Sequence, residues 1–566
     1  MYDLVVRGGT VIDGSGSAGV RADVGIQDGR VVQVGRIGER GREEIDAEGH
    51  VVSPGFVDGH THMDAQVFWD QLGTSSCWQG VTTVVMGHCG FTLAPARADR
   101  RELVVRNLER AEDIAPVAMA EGIRWSWETF PEYLDAVDRL PKGINYAANL
   151  GHSALRTWVM GERAFEAEAS DEELDEMARV LREALEAGAM GFTTTRNTFH
   201  QTSDGRPVAS RLASWAEVVR LVSEMADAGA GIFQITGERA AHSPDVEVRA
   251  EYYGRLGALA VATGVPFTFG VPASPTGLEA LDFIDTTAAD GARIFGMAHS
   301  RGVASVLSFE TQLPFDRLAA WKEFRTLPLE EQARRLRDPA TRGPLLDAAK
   351  HGDYGSELVG AEVRPPEYDN MFVMDRPMPP YSTVAALAEA AGVHPAELMI
   401  DLALERDLKV FFIQPIFHFT DENTVRVMKH PRTVMTFSDS GAHVSQVADS
   451  SIQTHLLSYW VRERQTFTLE EAVRMVTFDP ATAWGFYDRG LIREGFVADL
   501  NVFDPATLAP EMPEVVYDLP GGARRLTQRA RGYRATVVGG TVTLRDGEHT
   551  GARPGRLLRR GTHRRS

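Results

Sequence analysis

The stretch GFVDGHTHMD, residues 55–64, runs a short apolar segment into two histidines two positions apart. Alternate residues of a strand face the same way, so His60 and His62 share one face where the strand ends. Outward from it the same texture repeats: TTVVMGHCG (82–90), INYAANLGH (144–152), AMGFTTTRN (189–197), GIFQITGER (231–239), VPFTFGVPA (265–273), RIFGMAHSRG (293–302) and TVMTFSDSGAH (433–443). Between these strands, DEELDEMARVLREALEAG (171–188) and SWAEVVRLVSEMADAG (214–229) repeat apolar residues at helical spacing. Eight strands alternating with helices predict an α/β fold, a (β/α)8 TIM-like barrel over residues 51–485, whose active-site mouth is the carboxyl end of the strands.

Both ends of the chain read differently. Residues 1–50 are short, glycine-punctuated strands, and the style returns over 486–566 in GLIREGFVADLNVFDP and YRATVVGGTVTLRDGEHTG. One small β-sandwich domain built from both termini is the expectation. A formal GxGxxG occurs at Gly14–Gly19, but VRADVGIQ comes next with strand alternation, and no helix opens there to face a pyrophosphate. Residues 306–432, between the seventh and eighth strands, are too long for a βα connection and carry helical periodicity and aromatics, including Phe309, Trp321, Tyr368 and Phe372. They predict an ordered insertion that forms a lid.

The 566 residues are 43% hydrophobic and 24% charged, with a formal charge of −20, which excludes a disordered chain and argues against nucleic acid as a partner. The basic run Arg553–Arg565 is terminal and reads as a solvated tail. The two cysteines, Cys77 and Cys89, give no disulfide framework, and there is neither a signal-like N-terminus nor an apolar run long enough to cross a membrane. A cytoplasmic enzyme without a membrane partner is expected; homo-oligomerisation is left open.

Chemistry concentrates at the predicted strand ends. The His60/His62 pair has metal-ligand spacing. Cys89 is either a small buried residue or, at the mouth, a thiolate ligand, whereas Cys77 reads as structural. Asp439 either caps the segment after it or binds metal and accepts a proton from activated water. His88, His152, His299 and His443 lie near strand ends and could reach the mouth, either as structural or supporting histidines or as metal ligands. Arg196, Arg239 and Arg301 stand after the fourth, fifth and seventh strands, where a guanidinium could bind a substrate carboxylate or simply face solvent.

GFVDGHTH, GVTTVVMGHCG, FSDSGAH, EGFVADLNVFDP and the closing TGARPGRLLRR together resemble the amidohydrolase superfamily, in its N-acyl-D-amino-acid deacylase (D-aminoacylase) branch. The resemblance runs from end to end. It implies a (β/α)8 barrel with a β-sandwich, one or two divalent metals, and hydrolysis of an amide C–N bond. Carried over by motif, His60, His62 and Asp439 hold one metal, and Cys89 stands where the family has a bridging thiolate. Family members also carry histidines on the fifth and sixth strands and a lysine beside the latter; GIFQITGER and VPFTFGVPA have none of these. Residues such as Ile235, Thr236 and Phe269 do not replace imidazole at zinc.

The resulting expectation is a metal-dependent amidohydrolase acting on a small-molecule amide. It has one zinc ion on His60, His62, Cys89 and Asp439, Asp439 as general base, and Arg196, Arg239, Arg301, His152 and His443 around the substrate. Two alternatives stand beside it. One is a divergent mononuclear enzyme acting on a cyclic amide or specialised metabolite, including non-hydrolytic, decarboxylase-like chemistry. The other is a metal-free binding or assembly subunit.

Overall fold

The computed structural model describes residues 1–229, 231–355, 364–446 and 449–561. Each of the eight quoted stretches contains a strand: Phe56–Asp58, Val81–Met86, Asn145–Ala148 continued by Leu150–Gly151, Gly191–Thr195, Ile232–Thr236, Phe267–Gly270, Ile294–Ala298 and Thr433–Met435. Neighbours in this order pair in parallel throughout. Val81–Met86 and Gly191–Thr195 are buried at every position, as parallel strands covered on both faces must be. Beyond the last strand Ser440 bridges Thr61 in parallel, and the amides of His62 and Asp439 donate to Ser440 O (2.7 Å) and His60 O (3.1 Å). The exits of the first and eighth strands therefore lie side by side.

Helices fill the connections as the periodicity predicts. Asp171–Ala187 starts at a Ser170–Glu173 capping box and stops at Gly188, which takes the left-handed conformation (φ 109°). Its buried Met177, Leu181, Ala184 and Leu185 lie along one face. Trp215–Asp227 is capped by Ser214 and buries Val218, Leu221, Val222 and Met225.

The two termini share one nine-stranded sheet. Tyr2–Val11 pairs with Val20–Gln27, and its end pairs with Val51–Pro54. Val51–Pro54 joins Leu500–Phe503, which joins Tyr533–Val538. The terminal sheet thus extends past residue 50, and its core mixes Val6, Ile26 and Val52 with Leu500, Val502 and Val537. Gly14–Gly19 is the connection between two antiparallel strands, not a strand-to-helix turn, consistent with no dinucleotide site there.

The insertion has its own core, with Phe309, Phe315, Trp321, Leu336, Ile400 and Phe412 buried together. In it Phe411–Pro415 pairs antiparallel with both Ala304–Leu307 and Phe372–Met374. Of the basic run Arg553–Arg565, residues 562–565 lie outside the described residues; Arg559 is tied to Asp135 at 2.5 Å rather than left to solvent. No helix among the described residues is long and apolar enough to cross a membrane.

Candidate metal centre

At the exit of the first strand, Gly59 packs against the Trp484 indole so closely that any side chain there would collide with it. The chain passes through this gap, and His60 and His62, both essentially buried, emerge on one face. Their Nε2 atoms lie 3.3 and 3.1 Å from Oδ1 of Asp439. Sγ of Cys89 lies 3.6 Å from Nε2 of His60. His60, His62 and Cys89 are the one group of three metal-capable side chains whose ligand atoms converge among the described residues.

The backbone is bent to achieve this. Cys89 (φ 53°), Asp439 (φ 58°) and His443 (φ 47°) all occupy the left-handed region, which residues with a Cβ adopt only when their surroundings impose it. The Cys89 amide is held by Gln234 Oε1 at 2.8 Å, and that of Asp439 by the His60 carbonyl. Such strain clusters where side chains must be aimed.

The donor set fits a divalent cation. Zinc bonds of about 2.0–2.1 Å to nitrogen or oxygen and about 2.3 Å to sulfur give tetrahedral edges of about 3.3 and 3.5 Å. The His62–Asp439, His60–Asp439 and His60–Cys89 separations of 3.1, 3.3 and 3.6 Å lie at these values, while the three-way convergence is that of His60, His62 and Cys89. His62 Nε2 and Asp439 Oδ1, although close, have no hydrogen-bond partner, an arrangement that a shared cation would resolve.

The electrostatics are those of a tightly coupled cluster. Burial opposes charge on His62, yet Glu112 and Asp439 hold its imidazole well above the ordinary value. Burial raises the Cys89 thiol, and the two histidines more than reverse this, bringing it down to about 6. Burial also acts on Asp439, but His60 and His62 pull its carboxyl well below the usual range. A thiol and a carboxyl that ionise this readily are suited to metal ligation.

Glu112 carries no signal in the sequence, where it sits in the ordinary-looking charged run ERAED. In the fold it is buried, with Oε1 3.7 Å from His62 Nδ1 and Oε2 3.8 Å from His443 Nε2. These are charge contacts rather than hydrogen bonds, since His62 Nδ1 and Glu112 Oε1 both have no hydrogen-bond partner, and Glu112 acts on the His62 ring through its field. His88 stacks on His60 (centroids 4.0 Å apart), and burial together with His60 and His62 drives its pKa well below the ordinary value, so it packs as a neutral ring.

The amidohydrolase family profile matches residues 43–544, most of the chain. The chain belongs to the amidohydrolase family. It is 28% identical to a D-aminoacylase of Alcaligenes xylosoxydans xylosoxydans over 570 residues, covering 99% of this chain and 98% of that protein. An N-acyl-D-glutamate deacylase of the same organism is 29% identical over 569 residues, with 99% and 96% covered. A solved D-aminoacylase structure, described for the functional role of its binuclear metal centre, superposes with a TM-score of 0.65 at 26% identity, covering 99% of this chain and 100% of that one.

In this amidohydrolase the fifth and sixth strands present Gln234, Thr236 and Phe269 toward the cavity beside the cluster. Gln234 is occupied by the Cys89 amide and by Thr236, with its Nε2 3.2 Å from Thr236 Oγ1. The cavity, about 200 Å³, is lined by His60, Cys89, Asp439 and His299 and by a largely apolar remainder that includes Phe269, Phe417, Phe419 and Phe437.

Of the remaining expected substrate contacts, His443 and Arg301 line this cavity. Arg301 also pairs with Asp449 at 3.1 Å. His152 does not reach the cavity: its ring is buried between Thr194 Oγ1 (2.9 Å) and Glu217 Oε1 (2.8 Å), with Arg156 on the same carboxylate. Arg196 is drawn off by Glu238 and the Ala213 carbonyl, and Arg239 is exposed outside the cavity lining. Strand-end position located these groups near the mouth, but the carboxylates that claim His152 and Arg196 lie on other segments.

Proposed function

We propose that this protein is a metal-dependent hydrolase of the amide C–N bond in N-acyl-D-amino acids carrying a large apolar group. The convergence of His60, His62 and Cys89, with Asp439 Oδ1 3.3 and 3.1 Å from the two histidines, carries the reading. The full-length likeness to D-aminoacylase supports the substrate class, and the apolar cavity supports the preference for bulk.

His60, His62, Asp439 and Cys89 would hold the ion. A divalent metal there supplies Lewis acidity, lowering the pKa of a water molecule and polarising the scissile carbonyl. Asp439 Oδ1 faces the histidines, and its side chain is 16% exposed, more than any of the other three ligands, so it retains access to the cavity. Asp439 then accepts the water's proton and delivers it to the leaving nitrogen as the C–N bond breaks. Glu112 acts on His62 through its charge, across 3.7 Å. The apolar walls exclude bulk water and take up the substrate's apolar group.

We infer one metal per chain, because the fifth and sixth strands present an amide, a hydroxyl and a phenyl ring rather than imidazoles. We also infer that the eight parallel strands close into a (β/α)8 barrel, which the Thr61–Ser440 bridge supports. Residues 55–485 would form this unit, 306–432 its lid, and the terminal sheet, which takes in Val51–Pro54, one layer of a sandwich made by 1–54 and 486–566. Two unpaired cysteines, one in the ligand set, fit a reducing cytoplasm.

The test is metal analysis of the purified protein, then chelation, reloading, and assay of amino-acid release from N-acyl-D-amino acids of increasing side-chain size. About one equivalent of metal and hydrolysis that returns only on reloading are expected. Full turnover in the chelated protein would overturn the proposal.

A further inference from the structure

Among the walls of the cavity, Arg364 differs from every other cation near the site. It belongs to the insertion, and its Nη1 donates to the Ile416 carbonyl at 3.1 Å. Its guanidinium lies 5.9 Å from the centre of the Phe199 ring. Its Nε and Nη2 are buried and have no hydrogen-bond partner. Arg196 is taken by Glu238, Arg301 is paired with Asp449, and Arg239 lies outside the lining. Arg364 thus keeps two adjacent N–H donors in a pocket whose nearby walls are aromatic.

A guanidinium with one nitrogen fixed to backbone and its buried Nε/Nη2 edge unpartnered matches a planar two-oxygen anion, which accepts both N–H groups side by side. Burial lowers the pKa of Arg364, but arginine stays charged in proteins, so the unmet donors call for an anion rather than for deprotonation. The same cavity is also lined by His60, Cys89 and Asp439 of the metal-ligand cluster. A substrate spanning Arg364 and the cluster would place its scissile amide at His60, His62 and Asp439 and its charge on the insertion.

We propose that Arg364 binds the carboxylate of the amide substrate through its Nε/Nη2 edge, so that the insertion selects anionic substrates. This rests on the hydrolase reading for the substrate's amide but not for its binding. Arg364 acts on affinity, because it contacts a group remote from the bond that breaks.

The experiment compares N-acetyl-D-phenylalanine with its neutral carboxamide, on metal-loaded wild-type protein and on the Arg364→Met and Arg364→Lys variants. Equilibrium binding is read by calorimetry, and release of the free amine by a chromatographic assay. The wild type should prefer the acid by about tenfold or more, the scale of a charge-assisted pair. Arg364→Met should erase that preference by raising KM or Kd for the acid, with kcat within about twofold, carboxamide binding unchanged and metal content intact. Arg364→Lys should recover part of the preference, having the charge without the fork. If the wild type binds the acid preferentially through Arg364 yet releases no amine, the carboxylate site stands and the hydrolase reading falls. If it hydrolyses both compounds equally, binds neither, or keeps its preference in Arg364→Met, the Arg364 assignment is overturned.

Discussion

Oδ1 of Asp439 lies 3.1 Å from Nε2 of His62, and neither atom has a hydrogen-bond partner. The two residues leave the last and first strands of the parallel series, and the bridge between Thr61 and Ser440 sets their spacing. Replacing the carboxylate by its amide tests what that spacing is for. Asp439→Asn keeps the shape but removes the proton acceptor, so turnover should fall by about 10²-fold or more, with thermal unfolding little changed. Normal turnover would reduce Asp439 to a backbone-capping residue.

Metal stoichiometry should depend on the histidine pair. His60→Ala combined with His62→Ala removes two of the four proposed ligands and should leave the purified protein with less than about a tenth of the wild-type metal, measured by elemental analysis. Two tightly held ions in the wild type would mean that a second ligand set exists beyond this cluster.

Glu112 is expected to act through His62 rather than on substrate. Burial pushes the Glu112 carboxyl well up while His62 opposes this, so Glu112→Gln keeps a polar group beside His62 but withdraws the field that favours charge on its ring, and metal affinity should drop by about 10-fold, the low end for a group behind a metal ligand. A competition titration against a chelator measures this directly. At saturating metal most of the activity should return, which separates support of a ligand from a part in the chemistry.

The strands were legible because parallel strands covered on both faces are nearly continuous apolar runs, and three of the runs lead into side chains that the fold brings together: His60 and His62 after Phe56–Asp58, Cys89 after Val81–Met86, Asp439 after Thr433–Met435. Glu112 and Arg364 were not legible. Both lie in charged or proline-rich segments with no periodicity, and their meaning comes only from what the fold buries beside them. His152 shows the converse: strand-end position suggested the mouth, while the partner that removes it from the site, Glu217, lies near the start of a helix whose register no local pattern reveals.

The buried group of His152, Arg156 and Glu217 should support the fold and not the reaction. Burial raises the Glu217 carboxyl, but His152 and Arg156 outweigh it and hold the pKa at about 2 against an ordinary 4.5. A folded-state pKa below the unfolded value means that the stabilisation is fully present above about pH 4.5 and is lost as pH falls toward 2. Glu217→Gln strands the buried Arg156 without its counter-charge, and by comparison with other broken buried pairs it should cost about 3–5 kcal/mol at neutral pH. The gap between wild type and variant in urea unfolding should therefore narrow from pH 4.5 downward, while metal content and KM at pH 7 stay near wild type for the fraction that remains folded. A raised KM with unchanged stability would return His152 to the substrate site.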